Sequence, residues 1–175
     1  NVLNALSAIA AADILGIPFV SMQKGLKEFH GTNRRFEYKG TKNGFTIIDD
    51  YAHHPTEIRA TLTAAENYPH KEVWCIFQPH TYTRTKALFD EFVDALSTTD
   101  HVILADIYAA RETDTLGVSA EQIAEALKKK GCDAYYLPSF EKIEEFVLER
   151  CQKGDVLITM GAGDVVNIGE NLLQD

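Results

Sequence analysis

At 175 residues, with 45% hydrophobic and 25% charged content, the chain has the balance of an ordinary soluble globular domain and the length to bury a real core. A formal charge of −9 works against non-specific binding to nucleic acid or to an anionic membrane, although clustered basic residues can still hold a small anion. No run of about 18 apolar residues occurs, so no membrane span is expected.

The chain opens at Asn1 inside a helical pattern, with no initiator Met and no signal peptide, and reads as one domain, residues 1–175, cut from something larger. Leu3, Leu6, Ala10 and Ile14 predict an Ala-rich helix ending at Gly16, with Asn1 and Asn4 one turn apart. Pro18 starts a second helix that carries Val20, Met22 and Leu26 and stops before His30-Gly31. The alternating segment Arg34 to Tyr38 and the apolar run Phe45 to Ile48 predict a hairpin, with Asn43-Gly44 as its turn signal. From there strand and helix alternate. Helix 55–67 is followed by strand 73–77, a helix marked by Leu88, Phe89, Phe92, Val93 and Leu96, and strand 101–105. A helix bearing Ala120, Ile123, Ala124 and Leu127 ends at Gly131, which serves as its cap. Strand 134–137, a helix with Phe140, Ile143, Phe146 and Val147, strand 155–159 and a closing helix complete the chain.

This alternation predicts an α/β fold: a three-layer α/β/α arrangement around a mostly parallel sheet of about six strands, with one antiparallel edge strand supplied by the hairpin. In such a sheet the C-terminal ends of the parallel strands share one edge. Four of them run into polar or glycine-bearing loops: Asp49 to His54, Gln78 to Thr85, Asp106 to Glu112, and Gly161 to Asp164. The opposite edge has plainer connections, such as Tyr68 to Lys71 and Ser97 to Asp100. A ligand site is therefore expected at the C-terminal edge.

The stretch Asp49-Asp50-Tyr51-Ala52-His53-His54-Pro55-Thr56-Glu57 is the densest part of that edge. Pro55 suits a first helical position, and a helix N-terminus there favours anions. Aspartate and histidine are metal-ligand types, which leaves a small metal-dependent hydrolase open as an alternative. Capping and hydrogen bonding explain the same residues without a metal. Glu57 sits where the third residue of a capping box belongs. His80 and Arg84, four apart, could grip a carboxylate or simply form a solvated loop. Arg34-Arg35 taken alone reads as a basic strand edge. Gly161-x-Gly163 lacks the third glycine of a dinucleotide fingerprint and closes the fold instead of opening it, so a nicotinamide cofactor is not expected. Cys75, Cys132 and Cys151 show neither paired C-x-x-C ligand spacing nor a disulfide framework, which points to a reducing, cytoplasmic setting. Cys75, in an apolar strand, reads as an inert buried thiol.

Six segments, taken together and in order, carry a specific resemblance. They are Asn1 to Leu6, Arg34-Arg35-Phe36, Asp49 to Glu57, Phe77-Gln78-Pro79-His80, Thr83-Arg84-Thr85 and Met160 to Asp164. With this order and spacing the chain resembles the Mur ligases, and among them those that join L-alanine to UDP-N-acetylmuramate. The resemblance covers essentially the whole chain and implies the Rossmann-like C-terminal domain of a three-domain enzyme. The UDP-sugar domain and the central ATPase domain would lie outside it. It further implies ATP and Mg2+ as cofactors, with the metal ligands mainly in the central domain, and an acyl-phosphate mechanism that releases ADP and phosphate in peptidoglycan synthesis. The central domain, ATP, L-alanine and UDP-N-acetylmuramate are the implied partners; nucleic acid and membrane are not. By position, Asn1 and Asn4 match adenine contacts, Arg35 a phosphate contact and Asp50 an acid near the ribose. Tyr51 and His53 match residues of the amino-acid pocket, with His80 and Arg84 beside them, Arg84 binding the carboxylate of L-alanine. Some relatives carry Arg where this chain has Thr81, which places more of that task on Arg84. The related murein-peptide recycling ligases share these motifs, and the fragment alone is expected to be inactive.

Overall fold

The structure is a computed structural model that describes residues 2–29 and 31–174. They fall into two compact units that divide between Thr32 and Asn33. The smaller holds α1 (Val2–Ile14) and α2 (Phe19–Glu28). Its turn closes through hydrogen bonds from Gly16 N–H to Asp13 (2.9 Å) and from Ile17 N–H to Ala12 (3.0 Å), with Gly16 at φ +71°. Neither helix contains a fully buried residue.

The larger unit is a six-stranded sheet in the order β1-β2-β6-β3-β4-β5. Its strands are β1 (Glu37–Lys42), β2 (Phe45–Asp50), β3 (Val73–Phe77), β4 (His101–Leu104), β5 (Asp133–Tyr136) and β6 (Val156–Met160). Only the β1–β2 pairing is antiparallel. The expected α/β/α layers, strand number and antiparallel edge are all present. β3 and β6 are buried at every position, as strands covered on both faces must be.

Period-2 alternation sends the strand side chains into two cores. Ile48, Cys75, Phe77, Val102, Leu104 and Ile158 face one of them. That core is covered by α3 (Pro55–Glu66), α5 (Phe89–Leu96) and α6 (Ala120–Lys129), through Ile58 and Leu62, Phe92 and Leu96, and Ile123 and Leu127. Ile47, Trp74, Ile76, Ile103 and Leu157 face the other core. There α7 (Phe140–Arg150) contributes Ile143 and Val147, and α8 (Val166–Gln174) contributes Ile168 and Leu172. Burying one such side chain stabilises the fold by about 1.5–3 kcal/mol. Among the described residues no helix is long and apolar enough to cross a membrane.

Two local expectations need correction. The first hairpin strand begins at Glu37, not Arg34, because Arg34 (φ +57°) and Phe36 (φ +49°) take left-handed conformations that break extension. The strand then runs on to Lys42, which pairs with Phe45 across a two-residue turn. Asn43 (φ +50°) and Gly44 (φ +89°) are both left-handed there, as a twist-compatible hairpin turn requires. The second correction is a separate short helix, α4 (Tyr82–Ala87), within the segment expected to be loop; Leu88 breaks the chain between it and α5.

Candidate functional site

β2, β3, β4 and β6 end on one edge of the sheet, and β6 lies between β2 and β3. After β3 the chain turns into α4 and α5 on one face; after β6 it turns into α8 on the other. The two loops diverge between these strands, the geometry at which open α/β sheets form a ligand crevice.

Arg34 fastens that edge. Its Nε donates to Asp49 Oδ2 at 2.8 Å, while its terminal nitrogens donate to the carbonyls of Gly161 (2.8 Å) and Gly163 (3.1 Å). Asp49 is fully buried and also accepts from the Thr159 hydroxyl at 2.8 Å. Arg34 therefore joins the end of β2 to the loop after β6, and the Tyr51 ring lies 5.0 Å from its guanidinium carbon. Asp50 is buried too, and its two oxygens accept from the Phe36 and Ala52 N–H groups, both at 2.8 Å. Burial pushes its carboxyl above the ordinary range, and these hydrogen bonds offset part of that push.

Helix α3 starts at this edge. His54 is its N-cap and accepts from Thr56 N–H at 3.3 Å, with Pro55 as the first helical residue. Glu57, in the first turn, reaches back to accept from His53 N–H at 3.1 Å. The His53 ring packs edge-on against Tyr51, with 5.4 Å between centroids, and lies 6.2 Å from the His80 ring.

Tyr108 holds the loop after β3 from both sides. Its N–H donates to Pro79 and its carbonyl accepts from Thr81, each at 2.9 Å, and its ring stacks on His80 at 5.5 Å. Thr81, in a left-handed conformation, caps α4 by accepting from Arg84 N–H. The Arg84 guanidinium approaches His80 Nδ1 at 3.5 Å. Burial, then the Arg84 charge, lower the His80 imidazole below its usual value. Glu112 Oε2 accepts from Thr83 N–H at 3.0 Å.

Gln78 joins this loop to the one after β6, donating to Asp164 (2.8 Å) and accepting from Val165 N–H (3.2 Å). Gly163 is a glycine because a Cβ there would stand 2.8 Å from the Tyr108 ring.

The structure thus brings Tyr51, His53, His80 and Arg84 onto one edge, with Asp50 beneath them. Arg35 is exposed, its charge close enough to act on Asp50 and Glu57. Asn4 is exposed on α1, in the smaller unit, and Asn1 lies outside the described residues. Sequence reasoning gave no role of their own to Tyr108 or Gln78, and taken alone it read Arg34 as a strand-edge residue. Tyr108 and Gln78 were legible only as members of loops at the C-terminal edge, and Arg34 and Gln78 as members of segments that carry the family resemblance. Among the described residues no three His, Cys, Asp or Glu side chains are arranged to hold a metal. Asp49 and Asp50 are already occupied by protein donors.

Residues 34–163 match the family model described as Mur ligase, glutamate ligase domain. The chain is 59% identical over 99% of its length to a UDP-N-acetylmuramate–L-alanine ligase of Lachnospira eligens, and 60% identical to the one of Agathobacter rectalis. It spans 38% of the length of each of these relatives. Among solved structures, the UDP-N-acetylmuramate–alanine ligase of Thermotoga maritima superposes with a TM-score of 0.81 at 30% identity, over 99% of this chain and 37% of that one. A murein peptide ligase of Psychrobacter arcticus superposes at 0.70 with 26% identity, over 99% of this chain and 36% of that one. With the matched region containing three of the edge loops whole and the fourth as far as Gly163, the chain belongs to the Mur ligase family.

Proposed function

We propose that this chain is the amino-acid-binding part of an ATP-dependent ligase that joins L-alanine to UDP-N-acetylmuramate. The observation that carries the reading is the convergence of Arg84, His80, His53 and Tyr51 on one sheet edge, in a chain so similar to ligases of that name. In the proposed reaction the muramate carboxylate takes the γ-phosphoryl group of ATP. The alanine amine then attacks the acyl phosphate, and ADP and phosphate leave.

Arg84 binds the alanine carboxylate, since a guanidinium stays charged and offers paired donors to two oxygens. That grip holds the amine toward the acyl carbon. The Tyr51 ring, set against Arg34 and His53, forms a wall that admits a methyl group more readily than a large side chain. Arg35 meets the nucleotide phosphates, and Asn1 and Asn4 the adenine. For Asp50 the ribose role has to be shared with the two backbone amides it already holds. The described residues do not fit a Mg2+ site, so on this reading its ligands and the phosphate loop lie elsewhere in the full-length ligase, and the chain is inactive alone.

The test is phosphate release by the full-length ligase with ATP and UDP-N-acetylmuramate, for the wild type and for Arg84→Lys. We expect release to depend on L-alanine, and Arg84→Lys to raise the KM for L-alanine at least tenfold, about 1.4 kcal/mol, with kcat changing less. An unchanged alanine KM removes Arg84 from the pocket. The likeness to the murein peptide ligase supports a second reading, in which a peptide replaces L-alanine. Preference for L-alanyl-γ-D-glutamyl-diaminopimelate in the same assay would select it.

A further inference from the structure

We propose that His53 accepts the proton that the substrate amine must lose before it attacks, with Glu57 as the residue that positions it; this rests on the ligase reading above.

An amino acid arrives at neutral pH as an ammonium ion, which has no lone pair to offer the acyl carbon. Bond formation requires that a proton go somewhere close by. Two imidazoles stand at the edge, and hydrogen bonding tells them apart. His53 Nδ1 lies 3.0 Å from the Tyr51 carbonyl oxygen and 3.5 Å from Glu57 Oε2, and both neighbours are acceptors. Nδ1 therefore carries the hydrogen, and in the neutral ring the lone pair sits on Nε2. His80 is arranged the other way. Its Nδ1 faces an Arg84 guanidinium nitrogen, which can only donate, so its hydrogen sits on Nε2.

Glu57 is the third member of the chain. One of its oxygens holds both the His53 ring, by charge, and the His53 backbone N–H. Burial works to raise its carboxyl, but the His53 N–H hydrogen bond and the charges of His53 and Arg35 outweigh burial and hold it below the usual range. An ionised carboxylate behind Nδ1 fixes the tautomer and stabilises the imidazolium formed when Nε2 takes a proton, the arrangement by which a third group orients a catalytic base. The other charges facing this pair are Arg84, beyond His80, and Glu112, which acts on His80. Both imidazoles stand on the edge where Arg84 is proposed to hold L-alanine, their ring centroids 6.2 Å apart.

The step balances. The ammonium N–H bond breaks and its proton passes to His53 Nε2. The freed nitrogen pair forms the C–N bond to the acyl carbon. As that bond forms the carbonyl π pair moves onto oxygen. When the carbonyl re-forms, the acyl C–O bond breaks, its electron pair leaves with phosphate, and the second nitrogen proton goes to the departing phosphate, leaving the neutral amide.

Hydroxylamine provides the test, because it is already uncharged at neutral pH and traps acyl phosphates as hydroxamates. The full-length ligase is assayed with ATP, UDP-N-acetylmuramate and either L-alanine or hydroxylamine, as wild type, His53→Asn and Glu57→Gln. Asn keeps a donor where Nδ1 stood but cannot accept a proton, so it preserves the contact to Tyr51. Near neutral pH His53→Asn should lose about 10²–10⁴-fold of its L-alanine turnover, the usual worth of a positioned general base, and keep hydroxamate formation within a few-fold. Its deficit should narrow as pH rises and the amine loses its proton unaided. Glu57→Gln should show a smaller loss of L-alanine turnover, again with hydroxamate formation kept within a few-fold. A matching loss with both nucleophiles, or full alanine turnover in His53→Asn, overturns the proposal. Failure of the wild type to form either product overturns the ligase reading instead.

Discussion

Replacing Arg34 by methionine keeps much of the apolar stem and removes the charge that faces Asp49. The Asp49 side chain is fully buried and that of Arg34 is 23% exposed, with 2.8 Å between their atoms. Removing one partner of a buried pair strands the other, at a cost of about 3–5 kcal/mol. Thr159 still donates to Asp49 and some solvent reaches the Arg34 position, so the lower end, about 3 kcal/mol, is expected. With a urea dependence of about 2 kcal/mol per molar, the unfolding midpoint should fall by about 1.5 M with little change in slope. Fluorescence is a convenient readout, because Trp74, the only tryptophan, sits in β3 of the same unit. Adding Asp49→Asn neutralises the stranded charge while keeping an acceptor for Thr159, and should recover about half of the loss or more. A midpoint change below about 0.5 M would refute the view that Arg34 holds this edge together.

Two further outcomes follow from groups outside the crevice. His101 sits between Asp133 (2.6 Å) and Glu72 (3.0 Å) and stacks on Trp74. Burial works to lower its pKa, but the two hydrogen bonds outweigh it and the pKa is raised. Its stabilisation is thus fully present below the unfolded value of about 6.5 and is lost as pH rises through the folded one. The gap in melting temperature between wild type and His101→Gln should be widest in mild acid and shrink toward alkaline pH; a gap that widens contradicts the assignment. The Cys75 and Cys151 thiols are pushed up to about 12, chiefly by burial, while Cys132 is only partly buried. A thiol-reactive chromophore should therefore modify one cysteine rapidly in the native chain and all three after denaturation, and fast reaction of Cys75 would contradict its burial.

Much of the fold was legible because its signals are local. Asn43-Gly44 needs only its own φ angles to make a hairpin turn, and the apolar spacing of α5 and α6 needs only a core to face. Arg34 escaped for the opposite reason. Two of its three side-chain contacts are to the carbonyls of Gly161 and Gly163, more than a hundred residues away. Tyr108 is similar: nothing near it in sequence says that its backbone will clamp Pro79 and Thr81. The edge loops could be picked out as a group from polarity and glycine content. The hydrogen bonds that divide labour inside them, such as those that set His53 apart from His80, had no sequence signature.

The placement of β6 has a consequence for how the molecule comes into being. The latest of the six strands in chain order is the one between β2 and β3, so β1–β2 and β3–β4–β5 are joined by no strand pairing until residues 156–160 arrive. Until then the nascent chain holds two open strand edges and an unfilled slot, a topology that folds slowly and exposes sticky intermediates. The crevice loops hang from both halves, so the site and the completed sheet form in the same late event. Truncation anywhere before Met160 should leave an aggregating remnant, not a weakened domain.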